Sequence, residues 1–221
     1  MDNLEWIRLH YLYPDKIDDE LIDVIAKSGK ILKYLDIPIQ HIDDGILEKM
    51  NRRCSGKHIR KLFKRIRERI PGVVLRTSLI TGLPGEGEDE FKELCHFLQD
   101  AKIERAGVFA YSPEEGTDAS KMGRPSAETA ELRAEHIRDQ QALIMSDWNQ
   151  SRVGSTFRVL VEDYEIQTQF GTYYLARSYA ESPDVDGYIH IKTTGDLPTS
   201  EKFANVRITG VENGELVGEV V

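Results

Sequence analysis

The chain has 221 residues, of which 40% are hydrophobic and 30% charged, an ordinary composition for a globular protein of one or two domains. The net charge of −9 argues against nucleic-acid binding over the whole surface, and no run of about 18 apolar residues or signal-peptide pattern predicts a membrane span or export. The two cysteines, Cys54 and Cys95, form no CxxC pair or Cys/His cluster. This excludes a metal site built from local ligands, and free thiols favour a reducing cytoplasm.

The first two thirds of the chain alternate predicted strands and helices. Branched and aromatic runs predict strands over 4–13, 33–40, 73–80 and 106–111. Apolar residues at helical spacing predict intervening helices over 19–28, from 43 or 44 to about 50, over 56–69 and over 88–101. This βαβ order predicts a parallel sheet. Four strands are too few to close a barrel, so we expect a piece of a longer (β/α) barrel, cut near its middle.

The segment LRTSLITGLPGE, residues 75–86, reads as a buried strand that turns through glycines into a helix. A polar residue inside such a strand needs a partner. For Arg76 two interpretations stand, namely an ion pair with a neighbouring carboxylate, or contact with a ligand at the carboxyl end of the strand. In the second interpretation, Gly82 and Gly85 would let the ligand approach the backbone.

Right-handed crossovers place the carboxyl ends of all four strands on one rim. Polar, aromatic and glycine residues collect there: Tyr13, Gln40, Gly82 and Tyr111. Binding sites in folds of this kind lie at that rim, so the sequence predicts one there.

The pattern changes after a long amphipathic helix predicted over 129–151. Five period-two runs follow, at 156–162, 173–177, 187–191, 204–210 and 216–220, separated by Gly, Asp, Asn and Pro. They predict a small antiparallel β-barrel close to the OB type. We therefore expect an α/β domain over residues 1–150 and a barrel domain over 151–221.

Four motifs carry a family resemblance: WIRLHYLYP, YLDIPIQHIDDGILEKMNR, LRTSLITGLPGE and FAYSPEEGTDA. In this order they resemble the second half of the radical SAM domain of methylthiotransferases. The last module, with SPDVDG at 182–187, resembles a TRAM domain. The resemblance covers nearly the whole chain and implies a partial TIM-like radical SAM barrel followed by an OB-like TRAM barrel.

Two departures indicate the branch of the family. Members that modify tRNA typically carry LHLPVQSGS where this chain has LDIPIQHID, residues 35–43, and an Arg-Pro-Gly-Thr ending where it has PEEGT, residues 113–117. Both differences favour the branch that adds a methylthio group to an aspartate of a small-subunit ribosomal protein.

The resemblance implies S-adenosyl-L-methionine and 4Fe-4S clusters as cofactors. In the family, a cluster held by a CxxxCxxC loop cleaves S-adenosylmethionine to a deoxyadenosyl radical. That radical takes a hydrogen from the β-carbon of the aspartate, and sulfur and a methyl group are then added with a second cluster. The cluster cysteines are absent from this sequence, so we expect these residues to be inactive alone.

The resemblance also implies candidates for the S-adenosylmethionine half-site, with a structural alternative for several. Gln40 would hydrogen-bond the ribose or the amino-acid part, or serve as a barrel-layer amide. Arg76 would pair with the methionyl carboxylate. Ile80 and Gly82 would cradle the adenine, and Tyr111 would stack on it or hydrogen-bond it. The catalytic residues are not assigned.

Other polar residues receive structural interpretations. Glu86 lies one place late for the family pattern GxIxGxxE, in which Ser78 replaces the first glycine, so we expect helix capping from it. His41 at a strand end is expected to be a structural hydrogen-bonder. The basic run around the third helix is interpreted first as a solvated helix face and second as an rRNA contact; it comprises Arg52, Arg53, Lys57, Arg60, Lys61, Lys64, Arg65, Arg67 and Arg69.

The charge of the last module points to its partner. Residues 151–221 carry six Lys/Arg and eleven Asp/Glu, a net charge of −5. This balance disfavours RNA, because RNA affinity depends on cations that release counterions, and it suits a basic ribosomal protein docked through TRAM. A generic acidic surface is the plain alternative. Two other functions stay open: a tRNA methylthiotransferase, and a binding module in which the half-barrel only supports TRAM.

Overall fold

The computed structural model describes residues 4–168, 171–192 and 203–221. The chain divides into two compact units, Met1–Ile144 and Met145–Val221. No described helix combines the length and the apolar character needed to cross a membrane.

The first unit is built on a four-stranded parallel sheet in the order β1-β2-β3-β4. Its strands are β1 (Ile7–Leu9), β2 (Ile31–Asp36), β3 (Val74–Thr81) and β4 (Arg105–Ala110). Its helices are α1 (Asp19–Lys27), α2 (Asp44–Lys49), α3 (Gly56–Arg69) and α4 (Glu88–Ala101), with short 3-10 turns at Pro14–Lys16 and Ala119–Lys121. The predicted parallel half-barrel is confirmed.

The helix starts follow from their capping residues. Asp18 accepts a hydrogen bond from the N–H of Leu21 at 2.8 Å, and Asp43 accepts one from the N–H of Ile46 at 2.9 Å. The apolar faces of these helices cover one side of the sheet, where Leu35, Leu75 and Leu79 are buried with Phe63 and Phe97. Because side chains alternate along a strand, the other residues of the four strands face the opposite side.

Two strands are shorter than predicted. β1 covers only Ile7–Leu9, because Tyr11 has a positive φ of 57° that takes the chain out of the ladder. β2 ends at Asp36, because the N–H of Ile39 donates to the side chain of Thr77 instead of the backbone of β3. Beyond that point an isolated bridge joins Gln40 to Leu79.

The helix α5 (Ala127–Ser151) contains both the division between the units and the predicted boundary at residues 150 and 151. The second unit is a closed barrel in the order β5-β6-β7-β9-β8. Its strands are β5 (Thr156–Thr168), β6 (Gly171–Arg177), β7 (Ile189–Lys192), β8 (Phe203–Glu212) and β9 (Glu215–Val220).

The predicted OB-like barrel is confirmed with one correction, since its strands are not all antiparallel. β7 and β9 pair in parallel, and the other four pairings are antiparallel. The reason is geometric: strand directions cannot alternate all the way around a ring of five, so at least one pair must be parallel. Asp196, Glu201 and Lys202, which enter the charge count of this module, lie outside the described residues.

Candidate ligand site at the carboxyl edge of the sheet

The face of the sheet that the helices leave uncovered carries polar and aromatic side chains. In register across the strands, Asp36 lies beside Arg76, and Ile80 lies beside Phe109. Phe109 is 57% exposed, so this face is open near the carboxyl edge. A face with this mixture can hold a ligand that has both charged and aromatic parts.

Arg76 forms a buried ion pair. Its Nη1 donates to Asp36 Oδ1 at 3.0 Å, and Asp36 is fully buried. Asp36 Oδ2 accepts from the N–H of Tyr11 at 3.4 Å and lies 3.6 Å from His10 Nδ1. The ion-pair interpretation of Arg76 is therefore the arrangement found, and Asp36 also contacts the backbone of Tyr11, whose φ is 57°. Contact between the same guanidinium and a ligand carboxylate stays a prediction.

Gln40 and Ile80 are adjacent through their backbones. The N–H of Gln40 donates to the carbonyl of Ser78 at 2.8 Å, and the N–H of Ile80 donates to the carbonyl of Gln40 at 2.9 Å. The side-chain Oε1 of Gln40 accepts a hydrogen bond from Arg52 Nη2. Arg76 lies four residues before Ile80, which is roughly 13 Å further down the strand. The structure thus joins Gln40 to Ile80 and places Arg76 deeper in the sheet.

Gly82 and Tyr111 line one cavity of about 330 Å³ beyond the ends of β3 and β4, together with Arg124, Ser126 and Ala130. Gly82 has a φ of +76°, and a Cβ at this position would lie 2.2 Å from the Cβ of Ala130 in α5. Its N–H donates to Glu86 Oε1 at 2.8 Å. Glycine is therefore required here by the backbone turn and by close packing of α5, in addition to any ligand.

Glu86 does not cap α4. That helix begins after Gly87, whose N–H donates to the side chain of Glu90 at 2.9 Å. The buried Glu86 instead accepts from Gly82 and from Arg133 Nη1, the latter at 2.8 Å. The expected capping role was wrong because the carboxylate turns inward, towards an arginine 47 residues later in the chain.

His41 completes this buried cluster. It is fully buried, and its Nδ1 accepts from the N–H of Asp43 at 3.1 Å. Because Nδ1 accepts this hydrogen bond it carries no proton, and Nε2 lies 3.4 Å from Glu86 Oε2. The structural role expected for His41 agrees with this arrangement.

The pKa of Glu86 reflects these neighbours. Burial alone raises the pKa of the carboxyl group, but the contacts with His41, the N–H of Gly82 and Arg133 together outweigh burial and hold the pKa below its usual range. Glu86 is therefore a carboxylate near neutral pH. The arginine that stabilises it was missed from the sequence. Arg133 lies on the α5 face that also carries the buried Ala130, Ala134 and Ile137, and that spacing was the available signal.

The arginines of the basic run are largely paired with acids of neighbouring elements. Arg60 lies 3.0 Å from Glu93, and Arg67 lies 2.8 Å from Glu104. Arg65 and Arg69 pair with Asp19 of α1 at 3.2 and 2.6 Å. These contacts favour the interpretation of this run as an outer helix face.

The thiols do not form a cluster site. Cys54 and Cys95 are both free. Burial, with help from the charge of Glu86, raises the pKa of Cys95 to about 11, and burial with help from Asp15 raises the pKa of Cys54. Thiols of raised pKa are poor metal ligands. In the described ranges no group of three or more His, Cys, Asp or Glu could hold a metal ion, so the residues present do not fit a 4Fe-4S cluster.

Comparison with known proteins agrees with this architecture. Residues 2–98 match the model of the radical SAM superfamily, and residues 153–221 match that of the TRAM domain. The solved structure of coproporphyrinogen III oxidase (HemN) from Escherichia coli, a radical SAM enzyme, shares the fold with a TM-score of 0.50 and 13% identity. The match covers 79% of this chain and 44% of that one.

Curated relatives are similar along the whole chain. The ribosomal protein uS12 methylthiotransferase RimO of Alkaliphilus oremlandii is 39% identical over 100% of this chain and 50% of its own length. The protein of the same name from Acetivibrio thermocellus is 42% identical over 100% of this chain and 48% of its own length. The chain therefore spans about half the length of the curated relatives it matches.

The fold, the open carboxyl edge and the two matched segments define a radical SAM architecture with an attached TRAM domain. Within that class, the chain is similar over its whole length to the curated ribosomal protein uS12 methylthiotransferases named RimO, at 39–42% identity.

Proposed function

We propose that the protein to which these residues belong adds a methylthio group to the β-carbon of an aspartate in ribosomal protein uS12, in the cytoplasm. The observation that carries the proposal is the 39–42% identity, over the whole chain, to relatives named for this reaction. The half-barrel and the TRAM barrel agree with the two family models that the chain matches. Residues 1–150 would supply part of the catalytic barrel, and residues 151–221 the TRAM domain.

S-adenosylmethionine would lie across the carboxyl edge. The 330 Å³ cavity beside Gly82 and Tyr111 would take the adenine end, with Ile80 two residues before Gly82, and Gln40 would reach the ribose or amino-acid part. Arg76 would face the methionyl carboxylate while keeping Asp36 as its partner. When bound, S-adenosylmethionine supplies the radical precursor and the methyl group. The residues of this chain bind it, orient it and exclude water; cluster ligands would come from other residues of the full-length protein.

The TRAM module would dock the substrate protein. Its net charge of −5 complements a basic ribosomal protein and opposes a phosphate backbone. An rRNA contact through the exposed lysines of α3, Lys57, Lys61 and Lys64, is proposed as a secondary contact on the ribosome.

The experiment that tests the function is mass spectrometry of uS12 and of tRNA nucleosides from cells that lack the gene and from cells that carry it. We expect uS12 to lose the mass of one methylthio group in the deletion strain and to regain it on complementation. Loss of a methylthio nucleoside from tRNA, with uS12 unchanged, would establish the tRNA alternative instead.

A further inference from the structure

Arg52 differs from Arg76 and Arg133 in its surroundings. The guanidinium groups of Arg76 and Arg133 have carboxylate partners at 3.0 Å or less. Arg52 is only partly exposed, yet no carboxylate of the described residues lies within 4 Å of it. A partly buried cation without an acidic partner is a ready site for an anionic ligand.

The guanidinium is held in place by neutral contacts. Nη2 donates to Gln40 Oε1, and the group lies over the ring of Tyr13, 5.7 Å from its centroid. The N–H of Arg52 donates to the carbonyl of Leu47 at 2.8 Å, which ties the residue to the end of α2. Such a group is oriented before a ligand arrives, which lowers the entropic cost of binding.

These contacts bring Arg52 to the carboxyl edge. Gln40 pairs with the last residues of β3, and Tyr13 follows β1. Tyr13, beside Arg52, is 61% exposed, and Tyr11, two residues earlier in the chain, is 75% exposed. The N–H of Tyr11, a residue with a positive φ, donates to the buried Asp36 at 3.4 Å. An arginine beside an exposed tyrosine suits a peptide segment that carries a carboxylate side chain.

The local charge favours one carboxylate over a polyphosphate. Residues 40–53 contain three acidic and three basic residues, with the exposed Arg53 next to Arg52. An RNA backbone needs several cations in a row for useful affinity, whereas a single carboxylate needs one fork of N–H donors. In the proposed reaction the substrate carboxyl group is bonded to the reacting β-carbon, so fixing that carboxylate fixes the carbon.

We propose that Arg52 binds the side-chain carboxylate of the target aspartate of uS12, and that Gln40 and Tyr13 position its guanidinium. This inference rests on the proposed function and names the substrate contact of the same site. A second amino-acid carboxylate, the methionyl group of S-adenosylmethionine, has the same chemistry, so the test must separate the two.

The test measures binding of uS12 to this chain by calorimetry, with the natural aspartate and with asparagine at that position. Wild type should bind the aspartate form with an affinity roughly tenfold or more higher than the asparagine form, because asparagine cannot form the charge-assisted hydrogen bond. Arg52→Gln should remove the preference, and Arg52→Lys should keep part of it. Arg53→Gln is the matched control and should leave the preference unchanged. Thermal melts of each variant check that it is folded.

The possible outcomes distinguish failure of the Arg52 assignment from failure of the proposed function. If wild type binds both forms of uS12 equally, the assignment of Arg52 fails while the proposed function stands. If wild type binds neither form, the proposed partner and the assignment fail together. A parallel titration with S-adenosylmethionine separates the two carboxylates: loss of its affinity in Arg52→Gln, with the aspartate preference intact, would assign Arg52 to the cofactor and overturn the proposal.

Discussion

At the residue scale, the buried carboxylate of Glu86 connects three segments of the first unit. It contacts the turn after β3 through Gly82, the loop after β2 through His41, and α5 through Arg133. Because the turn at Gly82 forms one wall of the 330 Å³ cavity, this cluster fixes the shape of the candidate site.

Glu86→Gln should lower the free energy of unfolding by about 3 kcal/mol, because it leaves the Arg133 guanidinium without its buried charged partner. Urea unfolding checks this value. Glu88→Gln is the matched control: Glu88 also pairs with Arg133, but its side chain is 71% exposed, so the change should cost about 0.5 kcal/mol. Equal costs for the two variants would contradict the assignment.

The lowered pKa of Glu86 predicts a loss of stability in acid. A carboxyl group whose pKa is lower in the folded state than its ordinary value of 4.5 contributes stability that is present above pH 4.5. This contribution is lost as the pH falls through the folded-state pKa. Urea midpoints from pH 7 down to pH 3 should therefore fall less steeply for Glu86→Gln than for wild type; parallel curves would show that Glu86 has no part in the acid response.

Gly82→Ala should destabilise the first unit by about 2–4 kcal/mol. The new Cβ would meet Ala130, and alanine is disfavoured at a positive φ. Gly116→Ala separates the backbone cost from the packing cost, since Gly116 has a φ of +86° but nothing within 4 Å of its Cβ position. This control should lower the stability by about 1 kcal/mol. If both variants lose the same stability in thermal melts, the contact with α5 does not restrict this position.

Which residues lie at the carboxyl edge could be predicted from the sequence, but their ion-pair partners could not. Gln40, Gly82 and Tyr111 follow strands, and that placement needs only the local pattern. The ion pairs of Arg76 and Glu86 join residues 40 and 47 positions apart. Local periodicity contains no information about which carboxylate meets which guanidinium across such a distance.

At the scale of elements, the prediction succeeded where capping and periodicity agreed. α3 and α4 begin and end at the predicted residues, since Ser55 and Gly87 mark their starts and the apolar spacing is regular. β1 and β2 are shorter than predicted, because Tyr11 adopts a left-handed conformation and the N–H of Ile39 donates to the Thr77 side chain, within runs that look extended. The missing signal is backbone conformation, which side-chain pattern does not encode.

Arg67 of α3 connects this helix to the end of α4 and to the start of β4. Arg67 pairs with the buried Glu104 at 2.8 Å and donates to the carbonyl oxygens of Ala101 and Lys102 at the end of α4. Arg67→Met should lower the stability by about 3 kcal/mol, because Glu104 keeps its burial and loses its charge partner. Lys61→Met, on an exposed position of the same helix, should change it by less than about 0.5 kcal/mol in the same denaturation assay.

At the scale of the whole molecule, two architectures occur in one chain, and the change of period after α5 separates them. The half-barrel was predictable from strand and helix alternation, and the five-stranded barrel from turn spacing. The parallel closure of β7 on β9 depends on how a ring of five strands closes, a property of the complete barrel rather than of any one strand.

The measurement that tests the carboxyl-edge site most directly is calorimetric titration of this chain with S-adenosylmethionine. We predict saturable binding that Tyr111→Ala weakens by about tenfold, because stacking on an adenine contributes roughly 1–3 kcal/mol. Tyr188→Ala, in the second unit, should leave the affinity unchanged. No binding by wild type, or equal affinity in Tyr111→Ala, would contradict the placement of the adenine half-site on these strands.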